Sequence, residues 1–281
     1  MKITSMEEYF FKILMIASIV IVLSGILSVI FTVVVKGVSA LSISMLTESP
    51  HGGYYLGGGG GILNAILGSL FLAGGAIILS IIVSLPVALY LHQSPMKSRY
   101  VEYIRTSLDI ACGIPTIIYG AVVFTIMVLI GARSSLFWGM VTVAFFILPI
   151  MIRSMDEIML QTPKKIITAA FALGSTRIEM LFVVLKQSLP GILTAILLAF
   201  GRAIGDAASI LFTAGYSDSL PTSLFEPVAT LPLAILFQIS SPYPVVQQRA
   251  YAAGLILLVI VLTASIASRI LSKKFMKYVV K

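Results

Sequence analysis

Charge is scarce in this chain. Only 11% of its 281 residues are Asp, Glu, Lys or Arg, less than half of the about 25% usual in a soluble domain. Hydrophobic residues make up 59%, and the mean hydropathy is +1.08. That balance excludes a water-soluble globule. Cysteine is nearly absent as well: the single Cys112 lies in an apolar stretch and cannot close an intrachain disulfide, so the redox compartment is not readable from it. Histidine is limited to His51 and His92, which fall beside loops on opposite sides of the membrane, read as solvated, and cannot share a metal. No Gly-x-x-x-x-Gly-Lys-Ser/Thr sequence occurs, which excludes nucleotide binding by that device. No metal, cofactor or catalytic constellation is expected.

What the chain does have is apolar blocks, each long enough to cross a hydrocarbon core as a helix of roughly 20 residues. The expected fold class is an all-α membrane protein with six transmembrane helices, over 13–35, 62–91, 108–130, 135–152, 189–214 and 250–271. The first block is too long for a signal-peptide core and has no small-residue cleavage site after it, so it reads as a retained helix. Pro86, Pro115 and Pro149 fall inside spans. Proline at membrane depth requires neighbours that satisfy the freed carbonyl, which favours a packed bundle over lone anchors. The twelve methionines and fifteen phenylalanines read as packing and lipid contact.

The net charge of +8 suits a membrane protein whose cytoplasmic loops are basic better than a nucleic-acid binder. Of the nineteen Lys and Arg, fifteen lie in the N-terminus, the second-to-third loop, the fourth-to-fifth loop and the tail, Lys97, Lys277 and Lys281 among them. Lys36, Arg133 and Arg249 are on the other side, and Arg202 is within a span. Both termini are therefore expected in the cytoplasm, with the spans in contact with lipid. The organisation expected is an N-terminal helix and outer loop (1–61), a core transmembrane domain (62–271) and a basic tail (272–281). Outside, Gly57–Gly61 reads as a flexible linker, since it lacks the Gly-Lys-Ser/Thr ending of a phosphate loop, and 231–239 as a short re-entrant or interfacial helix.

The cytoplasmic loop 153–188 has local punctuation. Thr162 and Pro163 read as an N-cap with proline at the first helical position, and Gly174 as the stop of the helix that follows. Thr176 and Glu179 then form a capping box, so a second helix starts at once and leads into the fifth span at Pro190. The plain reading is a connector between spans. The fuller one is a rigid knob that fits a groove on a motor.

The fifth span carries Arg202 and Asp206 four residues apart, hence expected on one helical face. A charge there costs at least about 2.5–3.5 kcal/mol on insertion scales. A self-neutralised pair that staples the bundle is one reading, but buried ion pairs stabilise weakly. The other is a place on a transport path, where a guanidinium bonds two oxygens of an oxyanion and Asp206 holds it when no anion is present. Gly201 and Gly205 read as a close-packing stripe. Asp109, near the start of the third span, reads as an interfacial or capping acid.

Two stretches carry a resemblance. Ala169-Ala170-Phe171-Ala172-Leu173-Gly174 is similar to the cytoplasmic signature of ABC importer permeases, with Thr168 where an acid often stands and Leu185-Lys186 where Leu-Pro is usual. Gly201-Arg202-Ala203-Ile204-Gly205-Asp206 resembles the Arg-Ala-Ile-Gly-acid motif of phosphate importer permeases, whose acid is commonly Glu. Gly60-Gly61-Ile62, Ile114-Pro115 through Tyr119-Gly120, and Leu211 through Gly215 are further matches to those permeases, and Leu231-Pro232 through Ser240-Ser241-Pro242-Tyr243, then Ala250-Tyr251-Ala252-Ala253, resembles the PstA type in particular. The resemblance implies the six-helix MetI-like bundle and a non-enzymatic, pore-forming subunit of an ATP-driven phosphate importer. Its partners would be a PstC-type permease, two PstB-type ATPase subunits and a soluble phosphate-binding protein. It further implies translocation at Arg202 and Asp206, and ATPase docking at Ala169, Ala170, Gly174, Thr176 and Glu179. A proton-coupled secondary anion carrier using Asp206, an ABC permease for another oxyanion, and an added signalling role remain as alternatives.

Overall fold

The computed structural model describes residues 2–93 and 99–275, and its regular elements are all helices. Lys97 and the part of the expected basic tail beyond residue 275, with Lys277 and Lys281, lie outside the described residues. Five helices are long and apolar enough to cross a membrane: α1 (Lys2–Val38), α3 (Leu63–Gln93), α6 (Leu136–Leu160), α8 (Arg177–Gly205) and α10 (Pro244–Phe275). A sixth span exists only if the bent pair α4 (Arg99–Cys112) and α5 (Thr116–Leu129) is counted as one. The short α2 (Ile43–Thr47), α7 (Lys164–Ala172) and α9 (Leu231–Ile239) and a 3-10 turn at Tyr54–Leu56 complete the chain.

α6 is the centre. Val143, Ile147, Met151, Met155 and Met159 recur at helical spacing and are all buried. They pack on α3 through Leu72, Ala73 and Ala76, and on α8 through Val184 and Ile192. α10 lies against α8, and α1 is outermost, joined to the rest through α10. The apolar window of α1 has no buried residue, so lipid is its solvent, and Lys36 in its last turn sits 4.8 Å over the Tyr251 ring. α9 occupies the expected residues, with Leu231, Leu233, Ala234 and Gln238 buried and Leu236 and Phe237 exposed, and the Leu231 N–H donates to Ser69 Oγ (2.7 Å). The glycine run is not a free linker either. The Arg249 guanidinium, stacked 4.3 Å over Tyr54, donates to the carbonyls of Tyr54 and Gly58 and pins the run against α10.

The third and fifth spans depart from the straight helices expected. At 113–115 the chain turns by 97°. Pro115 has no N–H and disfavours helical geometry at Ile114, so α4 ends at Cys112 and α5 restarts at Thr116. The Tyr119 O–H donates to the Ala111 carbonyl (2.8 Å), one of the acceptors freed by the break. α4 is amphipathic, with Tyr100 and Tyr103 exposed on one side and Val101 buried on the other. α8 ignores Pro190 and runs unbroken from Arg177, but it stops at Gly205 instead of continuing to 214. The fourth span likewise runs on to Leu160, so the expected loop 153–188 begins inside α6 and ends inside α8. Thr162 does not cap α7: Pro163 stands at that position, and the Thr162 hydroxyl meets that of Ser188 (3.3 Å). His92 is not a solvated loop residue, since it forms part of the last turn of α3, half-buried.

The turn-rich segment after α8 packs against α5. A Cβ at Gly120 would lie 2.2 Å from the Ser209 carbonyl oxygen, so only glycine lets the two backbones meet. Gly120→Ala is expected to destabilise the chain by about 1–3 kcal/mol, read as a lower thermal midpoint in detergent. Gly113→Ala, whose nearest contact would be an ordinary 3.4 Å, should leave the midpoint unchanged.

Candidate functional site

Arg202 and Asp206 do not pair. The reason is the end of α8: Asp206 is its C-cap, with φ −82° and ψ 126°, so the backbone leaves the helix before the carboxylate can stack under the guanidinium. Asp206 Oδ1 instead accepts from Thr116 Oγ1 (2.9 Å), and Oδ2 accepts from the Ser209 N–H (2.8 Å). Thr116 is the first residue of α5, so the carboxylate sits at the positive end of that helix. Arg202 lies in the last turn of α8, at the negative end of another. Each charge is offset by a helix terminus rather than by the other charge. Among the described residues, Arg202 has no carboxylate partner; its guanidinium is exposed and lies 6.0 Å from the Phe146 ring. α5 has 14 residues and is about 21 Å long, shorter than the about 30 Å of a hydrocarbon core, so with its far end at one face of that core its start at Thr116 falls inside it.

Gly191, Ala195, Leu198 and Arg202 recur on one face of α8. Below Arg202 on that face, a cavity of about 410 Å³ opens between α6, α8 and the end of α10, lined by Ser154, Gln161, Thr194 and Ser272 among others. Gly201 and Gly205 make no close approach within this chain: a Cβ would meet only Val261 at 3.8 Å from Gly201 and nothing within 4 Å from Gly205.

The elbow forms as the local signals require. α7 closes with Ser175 N–H on the Ala170 carbonyl (3.1 Å) and Gly174 N–H on that of Phe171 (3.0 Å), with Gly174 at φ +83°. Thr176 N–H donates to Glu179 Oε2 (2.7 Å), and the Glu179 N–H returns to Thr176 Oγ1 (3.3 Å). Ala169 is exposed and Ala170 buried. Phe171, Leu173, Ile178 and Phe182 stand exposed on the outside of the elbow, Leu173 by 87%.

A charged cluster at the same end of the bundle was not legible beforehand. Asp156, wholly buried, accepts two bonds from Arg105, Nε to Oδ2 (2.8 Å) and Nη2 to Oδ1 (3.0 Å). Arg153 reaches Asp156 (3.5 Å), Glu157 (3.1 Å) and Asp109. Asp109, expected as an interfacial or capping acid, is an ion-pair partner of Arg153. The spacing of Arg153, Asp156 and Glu157 along a helix was the available signal; Arg105 lies 51 residues away and left none.

Residues 84–277 match the profile of a family described as binding-protein-dependent transport system inner membrane component. The chain belongs to that family. It is 31% identical over 254 residues to the phosphate transport system permease protein PstA of Haemophilus influenzae, covering 90% of this chain and 89% of that protein. Against PstA of Yersinia pestis it is 33% identical over 250 residues, covering 88% and 83%. Its fold resembles a chain of the inward-facing MetNI methionine ABC transporter, with a TM-score of 0.63, 18% identity, and coverage of 76% of this chain and 95% of that one. This membrane component therefore keeps a fold shared at low identity, and its two helix breaks meet within the matched region.

Because Arg202 and Asp206 do not touch, their effects on stability should add. Asp206→Ala is expected to cost about 1–3 kcal/mol by orphaning Thr116 and Ser209, whereas Arg202→Gln should leave the thermal midpoint nearly unchanged. The double variant should match the sum within about 0.5 kcal/mol; a larger coupling would mean that the pair forms.

Proposed function

We propose that this chain is one half of the pore of an ATP-driven importer that moves inorganic phosphate into the cytoplasm. Several supports converge. The relatives are phosphate permeases over most of their length, and a guanidinium at membrane depth without a carboxylate partner is suited to an oxyanion. Its planar fork bonds two oxygens at once and stays charged at any working pH. The single observation that carries the reading is that Arg202 is exposed and unpaired beside two helix breaks, because transporters place substrate where discontinuous helices meet. A moderate hold suits conduction, since a strong trap slows release. Asp206 acts as the tie between α8 and α5 rather than as a proton carrier, and no observation favours the secondary-carrier alternative.

The partners in this reading are a homologous PstC-type permease, two PstB-type ATPase subunits and a soluble phosphate-binding protein, with both termini cytoplasmic. The elbow of α7 and α8 seats in the ATPase, its exposed Phe171, Leu173 and Ile178 filling an apolar groove. In the assembled transporter, Arg202→Gln should reduce ATP-dependent phosphate uptake to background while the ATPase still co-purifies; normal uptake would refute the assignment. Leu173→Glu should do the reverse in order of cause, weakening ATPase co-purification by about 2 kcal/mol, roughly thirtyfold.

A further inference from the structure

A movement at the elbow has to reach Arg202 through the helices between them. α6 is joined to α7 by three residues, 161–163, two of which continue its hydrogen bonding, Gln161 N–H to Ile158 (3.2 Å) and Thr162 N–H to Met159 (3.0 Å). This junction, together with Met180 and Val184 of α8 clustered with Met155 and Met159 of α6, links the elbow to the end of α6. That end carries Asp156, and Asp156 holds Arg105 of α4 in a two-bond, planar geometry inside the protein. α4 leads across the 97° break to Thr116, and Thr116 bonds Asp206 in the segment that follows Arg202.

We propose that Asp156 is a positioning residue for transport: through Arg105 it makes α4 follow α6, and so carries the elbow's displacement to the Thr116–Asp206 joint beside Arg202. The proposal rests on the phosphate-importer reading. Apolar contact also holds α4, with Val101 and Leu108 packed near Leu148 and Ile152. Such contact slides, whereas a bidentate guanidinium–carboxylate pair fixes both distance and direction. The burial of Asp156 makes the point sharper. A carboxylate withdrawn from water is a weak source of stability, and packing alone would be served as well by an apolar pair. Arg153 shares itself among Asp109, Asp156 and Glu157 and keeps the clamp from carrying a lone charge when α4 shifts. The path is a contiguous set of two polar joints and two helices, a kind of physical connection that carries coupling between distant sites.

The test uses the complete transporter in proteoliposomes, with phosphate uptake and ATP hydrolysis measured together. Asp156→Asn, which keeps the shape and removes the charge, is expected to lower phosphate moved per ATP by about tenfold, within the range usual for coupling between sites. Arg105→Met with Asp156→Leu removes the pair altogether and restores an apolar contact, so stability should return while the phosphate-to-ATP ratio stays low. A wild-type ratio in either Asp156→Asn or the double variant overturns the proposal, the second case meaning that the pair serves only the fold. Should Asp156→Asn fail to assemble, the double variant decides alone. If the unaltered transporter moves no phosphate with ATP, the importer reading itself has failed and this inference with it. Uptake that is normal in the parent and unchanged in the variants sinks the inference only.

Discussion

In hydrocarbon a helix that stops leaves carbonyls or amides with nothing to bond, and here two helices stop close together at membrane depth. α4 and α5 are parted by Gly113-Ile114-Pro115, and α8 gives out at Gly205. The chain answers with side chains. The Tyr119 hydroxyl takes up the Ala111 carbonyl, and the Asp206 carboxylate takes up Thr116 and the Ser209 amide. Because the breaks are satisfied against each other, α5 and the segment after α8 become one unit, close enough that Gly120 admits no side chain.

That arrangement explains how a lone arginine survives where it stands. A cation at membrane depth is costly when isolated, yet Arg202 lies at the negative end of α8 and above a cavity whose lining includes Ser154, Glu157 and Thr194. Asp206, by working as a tie to α5, leaves the guanidinium free. A self-neutralised pair would have been more comfortable in lipid and of less use to an anion. The same chain does bury a true ion pair, Arg105 with Asp156, but at the end of the bundle near the elbow. Charge is thus spent in two different ways: once on contact between helices, once on keeping a site open.

How much of this was readable beforehand depends on the range of the interaction concerned. The elbow is made of bonds spanning five residues or fewer, Ser175 to Ala170 and Thr176 to Glu179, and its residues named it correctly. The bounds of α9 followed from an apolar run set between turn residues. The helix pattern failed at Asp206, because the four-residue spacing to Arg202 is a valid helical contact whose partner, Thr116, lies 90 residues earlier. Thr162 failed in the same way, its hydroxyl being engaged by Ser188.

The sequence by itself determined that the chain lives in lipid, which stretches are long enough to cross it, and where its elbow bends. Those are consequences of composition and of hydrogen bonds between near neighbours. Tertiary structure alone decided that the third span is folded over, that Arg202 has no carboxylate partner among the described residues, and that Asp156 is enclosed by arginines. Each of these depends on which distant side chain arrives to satisfy a backbone group or a charge, and that choice is made by packing, which the order of residues along the chain does not display.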